Sequence, residues 1–317
     1  MALFLRNEDI QQCVTMDHML EAIESMQGHF GRGEACNLTR RKIIAGGGTL
    51  SVMGGGLFYD GVMGVKTYTI IKGKYSFQVS LYDADTGKLL CYTQANRLGQ
   101  LRTGATTGIA IKHLSNSDAA TVGIIGTGNQ ASTQLEAACK VRNIKRIKAF
   151  SRTQERRDAF ARSMTEALGI EVVSAATNQE AVSGSDIVIC IANAMEPVLE
   201  GDWLSPGSTV IAAGPTSWRA KEVDDATLVR ADKIFVDSVD QATIEVGDMA
   251  SAVDRGVLQW SRLQELRHVI AGTAAGRDTA DQIILAKLMG TGVADVASAK
   301  LACDRATTAG IGLEMEW

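Results

Sequence analysis

Within Ala-Thr-Val-Gly-Ile-Ile-Gly-Thr-Gly-Asn-Gln-Ala, residues 120 to 131, an apolar run leads into Gly126, Gly128 and Ala131 at the spacing of a phosphate-binding turn. The pattern predicts a buried parallel strand over Val122 to Ile125 that ends in a tight turn at Gly126. Gly128 would let a pyrophosphate approach the backbone, and Ala131 would permit close packing at the start of a helix from about Gln130 to Lys140. The N–H groups at the start of that helix would face the phosphates. Gly126, Thr127, Gly128, Asn129 and Gln130 are thus candidate contacts for a dinucleotide. Three small residues at such a turn also arise from packing alone, so the context decides. A second strand-like run, Ile144 to Phe150, follows and ends in Ser151-Arg152-Thr153, where the adenosine ribose would lie. An acidic residue there would accept from the ribose hydroxyls of NAD. Ser151 and Arg152 instead offer a donor and a cation suited to a 2′-phosphate, with Thr153 beside them. The pattern favours NADPH, with NADH as the alternative.

The elements that would carry this site change character along the chain. Residues 8 to 31 have apolar positions at helical spacing (Ile10, Val14, Met19, Ile23, Met26) and predict one or two amphipathic helices. Residues 41 to 93 switch to strand-like runs broken by glycine, with Asp83 to Gly87 as a hairpin connection, and predict an antiparallel sheet. Residues 97 to 113 return to helix, dense in small residues from Gly104 to Gly108. From residue 121 strand and helix alternate through Ile187 to Ala192, Thr209 to Ala213 and Ile234 to Val236, the pattern of a parallel sheet wound by right-handed crossovers. An alanine-rich helix from Thr291 to Ala309 follows Gly290 and is expected to return to the first domain.

With 317 residues, a net charge of -4 and no basic stripe, the chain has room for two domains and no signature of a nucleic-acid or anionic-membrane partner. Six scattered cysteines without a CxxC pair fit reduced thiols in a cytoplasmic protein. Met1 to Asn7 reads as neither a basic leader nor an apolar stretch of signal length, and no apolar run reaches membrane length, so the protein is expected to stay where it is made. Four histidines, none in an HxxxH or HExxH arrangement, give no support to a metal site.

Taken in order, these features resemble the ornithine cyclodeaminase and mu-crystallin family over essentially the whole chain. The residues that carry the resemblance are Gly64-Val65-Lys66, the Asp83 to Gly87 hairpin before Leu89-Leu90, Leu101-Arg102-Thr103-Gly104-Ala105, the Gly126 to Ala131 turn and Asp237-Ser238 after a strand. The resemblance implies an α/β protein. A Rossmann-type doubly wound sheet would span residues 114–290, and residues 1–113 with 291–317 would form a discontinuous α+β domain for substrate binding and dimerisation. The active site would lie in the cleft between domains. Carried over by motif, Lys66 would lie by the substrate nitrogen and carboxylate, and Arg102 would bind the carboxylate bidentately. A further arginine is expected near the first strand, either Arg40 or Arg41. Thr103 and Gly290 are counted with the cofactor contacts.

Two positions depart from the cyclodeaminase pattern. Thr216, in Gly214-Pro215-Thr216-Ser217, stands where that branch and the alanine dehydrogenases carry a catalytic aspartate, and Ser51 stands where cyclodeaminases carry a carboxylate. A hydroxyl is a poor general base near neutral pH, so ornithine deamination is disfavoured. The expectation is an NADPH-dependent reductase of a small imine or cyclic ketimine carboxylate, such as pyrroline- or piperideine-2-carboxylate, with Lys66, Arg102 and Thr216 as catalytic candidates and a homodimeric assembly. An amino-acid cyclodeaminase or dehydrogenase, and a dinucleotide-regulated ligand binder, are the alternatives.

Overall fold

The structure, a computed structural model, describes residues 1–316; Trp317, included in the expected first domain, lies outside the described residues. In chain order the elements begin β1 (Ala2–Leu5), α1 (Asn7–Cys13), α2 (Met16–Gly31), β2 (Ala35–Ala45), β3 (Gly48–Leu57), β4 (Val62–Ile71), β5 (Lys74–Asp83), β6 (Leu89–Gln94) and α3 (Asn96–Leu114). There follow β7 (Thr121–Ile125), α4 (Ala131–Val141), β8 (Arg146–Phe150), α5 (Gln154–Leu168), β9 (Val172–Ser174), α6 (Asn178–Val182), β10 (Ile187–Cys190) and β11 (Thr209–Ala212). The chain continues through α7 (Asp225–Arg230), β12 (Lys233–Val236), α8 (Val239–Glu245), α9 (Gly247–Asp254), β13 (Leu263–Glu265), α10 (Leu266–Ile270) and β14 (Ile284–Lys287), and closes with α11 (Gly292–Ala309) and β15 (Leu313–Met315). It divides into two compact units, Met1–Ala105 with Gly290 onward, and Thr106–Met289. The first division falls inside α3, whereas the sequence suggested a boundary at its end.

The first unit is built on a sheet of order β15-β1-β6-β5-β4-β3-β2. Strands β2 to β6 pair antiparallel, as expected for residues 41 to 93, and the sheet extends beyond them through β1, which runs parallel to β6 and antiparallel to β15. Four residues at the chain start give too short a stretch for alternation to be read. Helix α11 lies on one face of this sheet, against β2 to β5, and also packs on α2. Residues 292–299 are buried without exception, so small apolar residues surround the helix instead of marking one stripe. Glycines on the sheet let the helix backbone come close. A Cβ on Gly55 would stand 2.6 Å from Cα of Val293, and one on Gly64 3.1 Å from Cγ2 of Val296. By register the opposite sheet face carries Leu38, Ile43, Met63 and Ile71, all exposed.

The second unit holds eight parallel strands in the order β13-β12-β14-β11-β10-β7-β8-β9. Both sheet faces are covered. Ile187 and Ile189 enter one core cluster while Val188 and Cys190 enter the other, so a central strand such as β10 reads as a continuous apolar run instead of alternating. The sequence did not single out β14, which sits between β11 and β12. Together the units define a Rossmann-type α/β protein with an additional α+β unit.

Candidate active site

In the second unit the strand order reverses at β7, with β8 and β9 on one side and β10 and β11 on the other, the place where open α/β sheets bind ligands. The turn there is demanded in part by the fold. Gly126 has φ 108°, and a Cβ on it would lie 2.8 Å from the backbone of Ile191 and Ala192 at the end of β10. Gly128 differs: its φ is not in the left-handed range and a Cβ would meet no atom of the chain, so packing within the protein does not require glycine there. A backbone left bare toward the outside fits a pyrophosphate. Helix α4 starts without a side-chain cap, and the buried Oε1 of Gln130 has no partner, leaving polar groups for a ligand at this turn. Asn129 beside it is exposed.

At the end of β8, Thr127 donates its hydroxyl to Ser151 Oγ at 2.9 Å, tying the glycine turn to the second strand. Arg152 and Thr153 are exposed. A further arginine not considered from sequence, Arg157, lies 5.4 Å from the Phe150 ring centre and donates to Ser151 O at 3.2 Å and Ser174 Oγ at 3.2 Å.

The first unit gathers three cations around one carboxylate. Lys66 Nζ donates to Asp295 Oδ1 at 2.8 Å and Arg102 Nε donates to the same oxygen at 3.0 Å. Asp295 Oδ2 is buried without a partner. Arg40 donates to Gly290 O at 3.3 Å and lies close enough for its charge to be felt by both Lys66 and Asp295. The close seating of α11 on β3 and β4 brings Asp295 onto Lys66. Burial pushes the Lys66 ammonium down to about 8, with Arg102 and Arg40 adding to the effect and Asp295 opposing it. Burial would raise Asp295, yet the charges of Arg102 and Lys66 outweigh it and hold the carboxyl below its usual range. The Lys66 Nζ also lies 5.1 Å from the Phe77 ring centre, a cation–π contact.

A β-bulge separates the two arginine candidates. Between Leu38 and Arg41 strand β2 gains a residue relative to β3, so Thr39 and Arg40 together oppose Met53. The inward position moves from odd to even residues: Ala35 faces in before the bulge and Arg40 after it, buried, while Arg41 is exposed. Gly290 joins the same cluster, since at φ 75° a Cβ would run into the Arg102 guanidinium. Thr103 turns its hydroxyl to Gly99 O at 2.7 Å. The structure thus brings Arg40, Lys66, Arg102 and Gly290 together and leaves Arg41 outside.

Asp295 was not identified from sequence, although a signal existed. An acid within Gly-Val-Ala-Asp-Val-Ala-Ser-Ala sits where both neighbouring turns are apolar, and a charge buried there needs a cation. Thr216 is partly buried on the segment after β11 in the second unit. Ser51 is fully buried and its hydroxyl has no partner, so the chain spends no charge at that position.

A Rossmann-type sheet with a bare glycine turn at its switch point, and a unit holding a buried cation cluster, place the chain among the Rossmann-type α/β proteins. The chain belongs to the ornithine cyclodeaminase/mu-crystallin family, whose model matches residues 2–310. It is 33% identical over 263 residues to a Delta(1)-pyrroline-2-carboxylate reductase of Bacillus cereus, covering 80% of this chain and 81% of that protein. A structure of Thermococcus litoralis Delta(1)-pyrroline-2-carboxylate reductase in complex with NADH and L-proline superposes with a TM-score of 0.94 at 30% identity, over 99% of this chain and 100% of that one. An alanine dehydrogenase of Archaeoglobus fulgidus is 28% identical, covering 99% of this chain and 98% of that protein.

Proposed function

We propose that the protein is an NAD(P)H-dependent reductase that converts a small imine or cyclic ketimine carboxylate, of the 1-pyrroline-2-carboxylate type, into an L-amino acid. The observation that carries this reading is the buried cluster of Arg40, Lys66 and Arg102 with the carboxylate of Asp295. A guanidinium offers paired donors that match a carboxylate, and the cluster sets two of them, buried, beside Lys66. The relatives that act on pyrroline-2-carboxylate support the substrate class.

Arg102 and Arg40 hold the substrate carboxylate, since a guanidinium offers paired donors that fit its two oxygens. Lys66, with its pKa near 8, is mostly protonated at neutral pH yet gives up a proton readily. It polarises the imine nitrogen and supplies the proton that the amine product needs. Asp295 holds Lys66 and Arg102 in register through one oxygen. Thr216 donates a hydrogen bond to the nitrogen or to a water. The dinucleotide, held by residues 126 to 130 with Ser151, Arg152 and Thr153, supplies the hydride.

Absence of an acid from Ser151-Arg152-Thr153, with Arg152 exposed there and Arg157 beside it, favours NADPH over NADH. The exposed apolar face of Leu38, Ile43, Met63 and Ile71 fits a second copy of the chain, in keeping with a relative described as an alanine dehydrogenase dimer. The test is absorbance of the reduced nicotinamide band with NADPH or NADH and a panel of cyclic imine acids. Oxidation by 1-pyrroline-2-carboxylate with formation of L-proline is expected. Ammonia release from ornithine without net change in NADH would overturn the reading in favour of a cyclodeaminase. In the same assay Arg152→Ala is expected to weaken NADPH more than NADH; equal losses would remove Arg152 from recognition of the 2′-phosphate.

A further inference from the structure

The second unit contains a buried charge cluster that the chemistry above does not use. Lys287, the last residue of β14, stands in register with Ala212 at the end of β11, and so at the carboxyl edge of the sheet. Its Nζ donates to Glu222 Oε2 at 2.8 Å and lies 3.8 Å from Asp248 Oδ2. All three side chains are buried, with exposures of 3% or less. Glu222 Oε2 also accepts the N–H of Gly214 at 3.1 Å, while Oε1 is buried without a partner. Asp248 Oδ2 accepts the N–H of Glu222 at 3.2 Å, fixing the backbone that carries the carboxyl. Gly214 opens the turn Gly214-Pro215-Thr216-Ser217. A side chain on Gly214 would collide with the Glu222 carboxyl and come within 2.6 Å of Ala192 O, so the turn rests directly on this group.

We propose that Glu222, held by Lys287 and Asp248, is a positioning residue for the reductase reaction, clamping the Gly214–Ser217 turn so that Thr216 is presented from the carboxyl edge of the sheet. The inference rests on the reductase reading for its catalytic consequence. Packing alone would be served by apolar residues at these sites, often at no loss of stability, whereas two carboxylates on one ammonium leave one buried charge uncompensated. That surplus has a direct effect. Burial raises the Glu222 carboxyl to about 7, with Asp248 adding to the rise and Lys287 and the Gly214 N–H opposing it. The charged or titratable groups acting on Glu222 and Lys287 are these and Cys190, whose thiol burial holds well above its ordinary value. Ionised, Glu222 accepts strongly from the Gly214 N–H; protonated, it accepts weakly. The clamp therefore tightens as pH rises through about 7.

The test uses Glu222→Gln in the full-length protein, which keeps the shape and an acceptor oxygen while removing the titration. Hydrogen exchange of the segment holding Gly214 is measured as protection relative to the unfolded rate, below and above neutral pH, alongside reduction of 1-pyrroline-2-carboxylate. Protection in the unsubstituted protein is expected to rise with pH and to be flat in Glu222→Gln. The kcat of the variant is expected to fall about tenfold, the effect of one charge-assisted hydrogen bond, with KM little changed. Protection independent of pH in both proteins would overturn the proposal. So would a kcat and pH profile unaltered by the substitution. If the unsubstituted protein reduces no imine acid, the reductase reading fails alone, because the exchange measurement still decides whether Glu222 clamps the turn. If Glu222→Gln does not fold, the unsubstituted protein alone suffices: protection that rises with pH supports the clamp, and a flat profile overturns it.

Discussion

Replacing Asp295 with Asn removes the anion that Lys66 and Arg102 share while changing shape very little. Lys66 and Arg102 each lose a charged partner, at 2.8 and 3.0 Å. Breaking a buried ion pair from one side costs about 3–5 kcal/mol, which for a unit of this size lowers the melting temperature by roughly 6–20 °C. The cost depends on pH in a defined direction. The folded pKa of Lys66 lies below its ordinary value, so folding disfavours the ammonium, and stability increases as pH rises from about 8 toward 10.5 in the unsubstituted protein. Without Asp295 opposing the effect of burial, that window moves to lower pH. The deficit of Asp295→Asn should therefore shrink as pH is raised from neutral. A carboxylate ligand should rescue the variant for the same reason. Pyrrole-2-carboxylate, planar and not reducible at its ring by this route, would stand in for the lost anion and should raise the melting temperature of the variant more than that of the unsubstituted protein. Differential scanning calorimetry at two pH values, with and without this ligand, reads all three effects. If the variant melts with the unsubstituted protein, or if the ligand shifts both equally, the cluster is not a charge-driven carboxylate site.

Arg40→Ala is expected to raise the KM for the imine acid about tenfold or more, whereas Arg41→Ala leaves it unchanged, because the bulge turns only Arg40 inward; steady-state kinetics of the pair decide it. Gly126→Ala should lower thermal stability through its left-handed backbone and its approach to Ile191, while Gly128→Ala should leave stability intact and weaken dinucleotide binding, read by melting and by titration. Turnover should fall as pH rises through about 8, when Lys66 loses the proton it delivers, and Lys66→Ala should abolish turnover at every pH with dinucleotide binding preserved.

Much of this was legible in the sequence for a physical reason. Central strands of a parallel sheet covered on both faces are continuous apolar runs, so β7, β10 and β11 stand out, and the glycine spacing after β7 marks the tight turn into α4 without any tertiary information. Lys66 and Arg102 came from the family resemblance. What stayed hidden depends on contacts distant along the chain. Arg40 and Arg41 could not be separated because alternation fails at a bulge, and only pairing with β3 reveals one. Asp295 lies 229 residues from Lys66, and its role follows from the seating of α11 on the glycines of the sheet. The Glu222, Lys287 and Asp248 group comes from three separate segments, each ordinary when read alone, that meet at one edge of the sheet.

If the Arg40, Lys66 and Arg102 cluster recognises a carboxylate on the imine being reduced, an imine without that group must be a poor substrate. The comparison to make is kcat/KM for 1-pyrroline-2-carboxylate against that for 1-pyrroline, the same ring without the acid. Two charge-assisted contacts predict a preference for the acid of roughly 10²–10⁴, and a preference that collapses in Arg102→Ala. Equal reduction of the two imines, or a preference that survives loss of Arg102, would refute carboxylate recognition by this cluster.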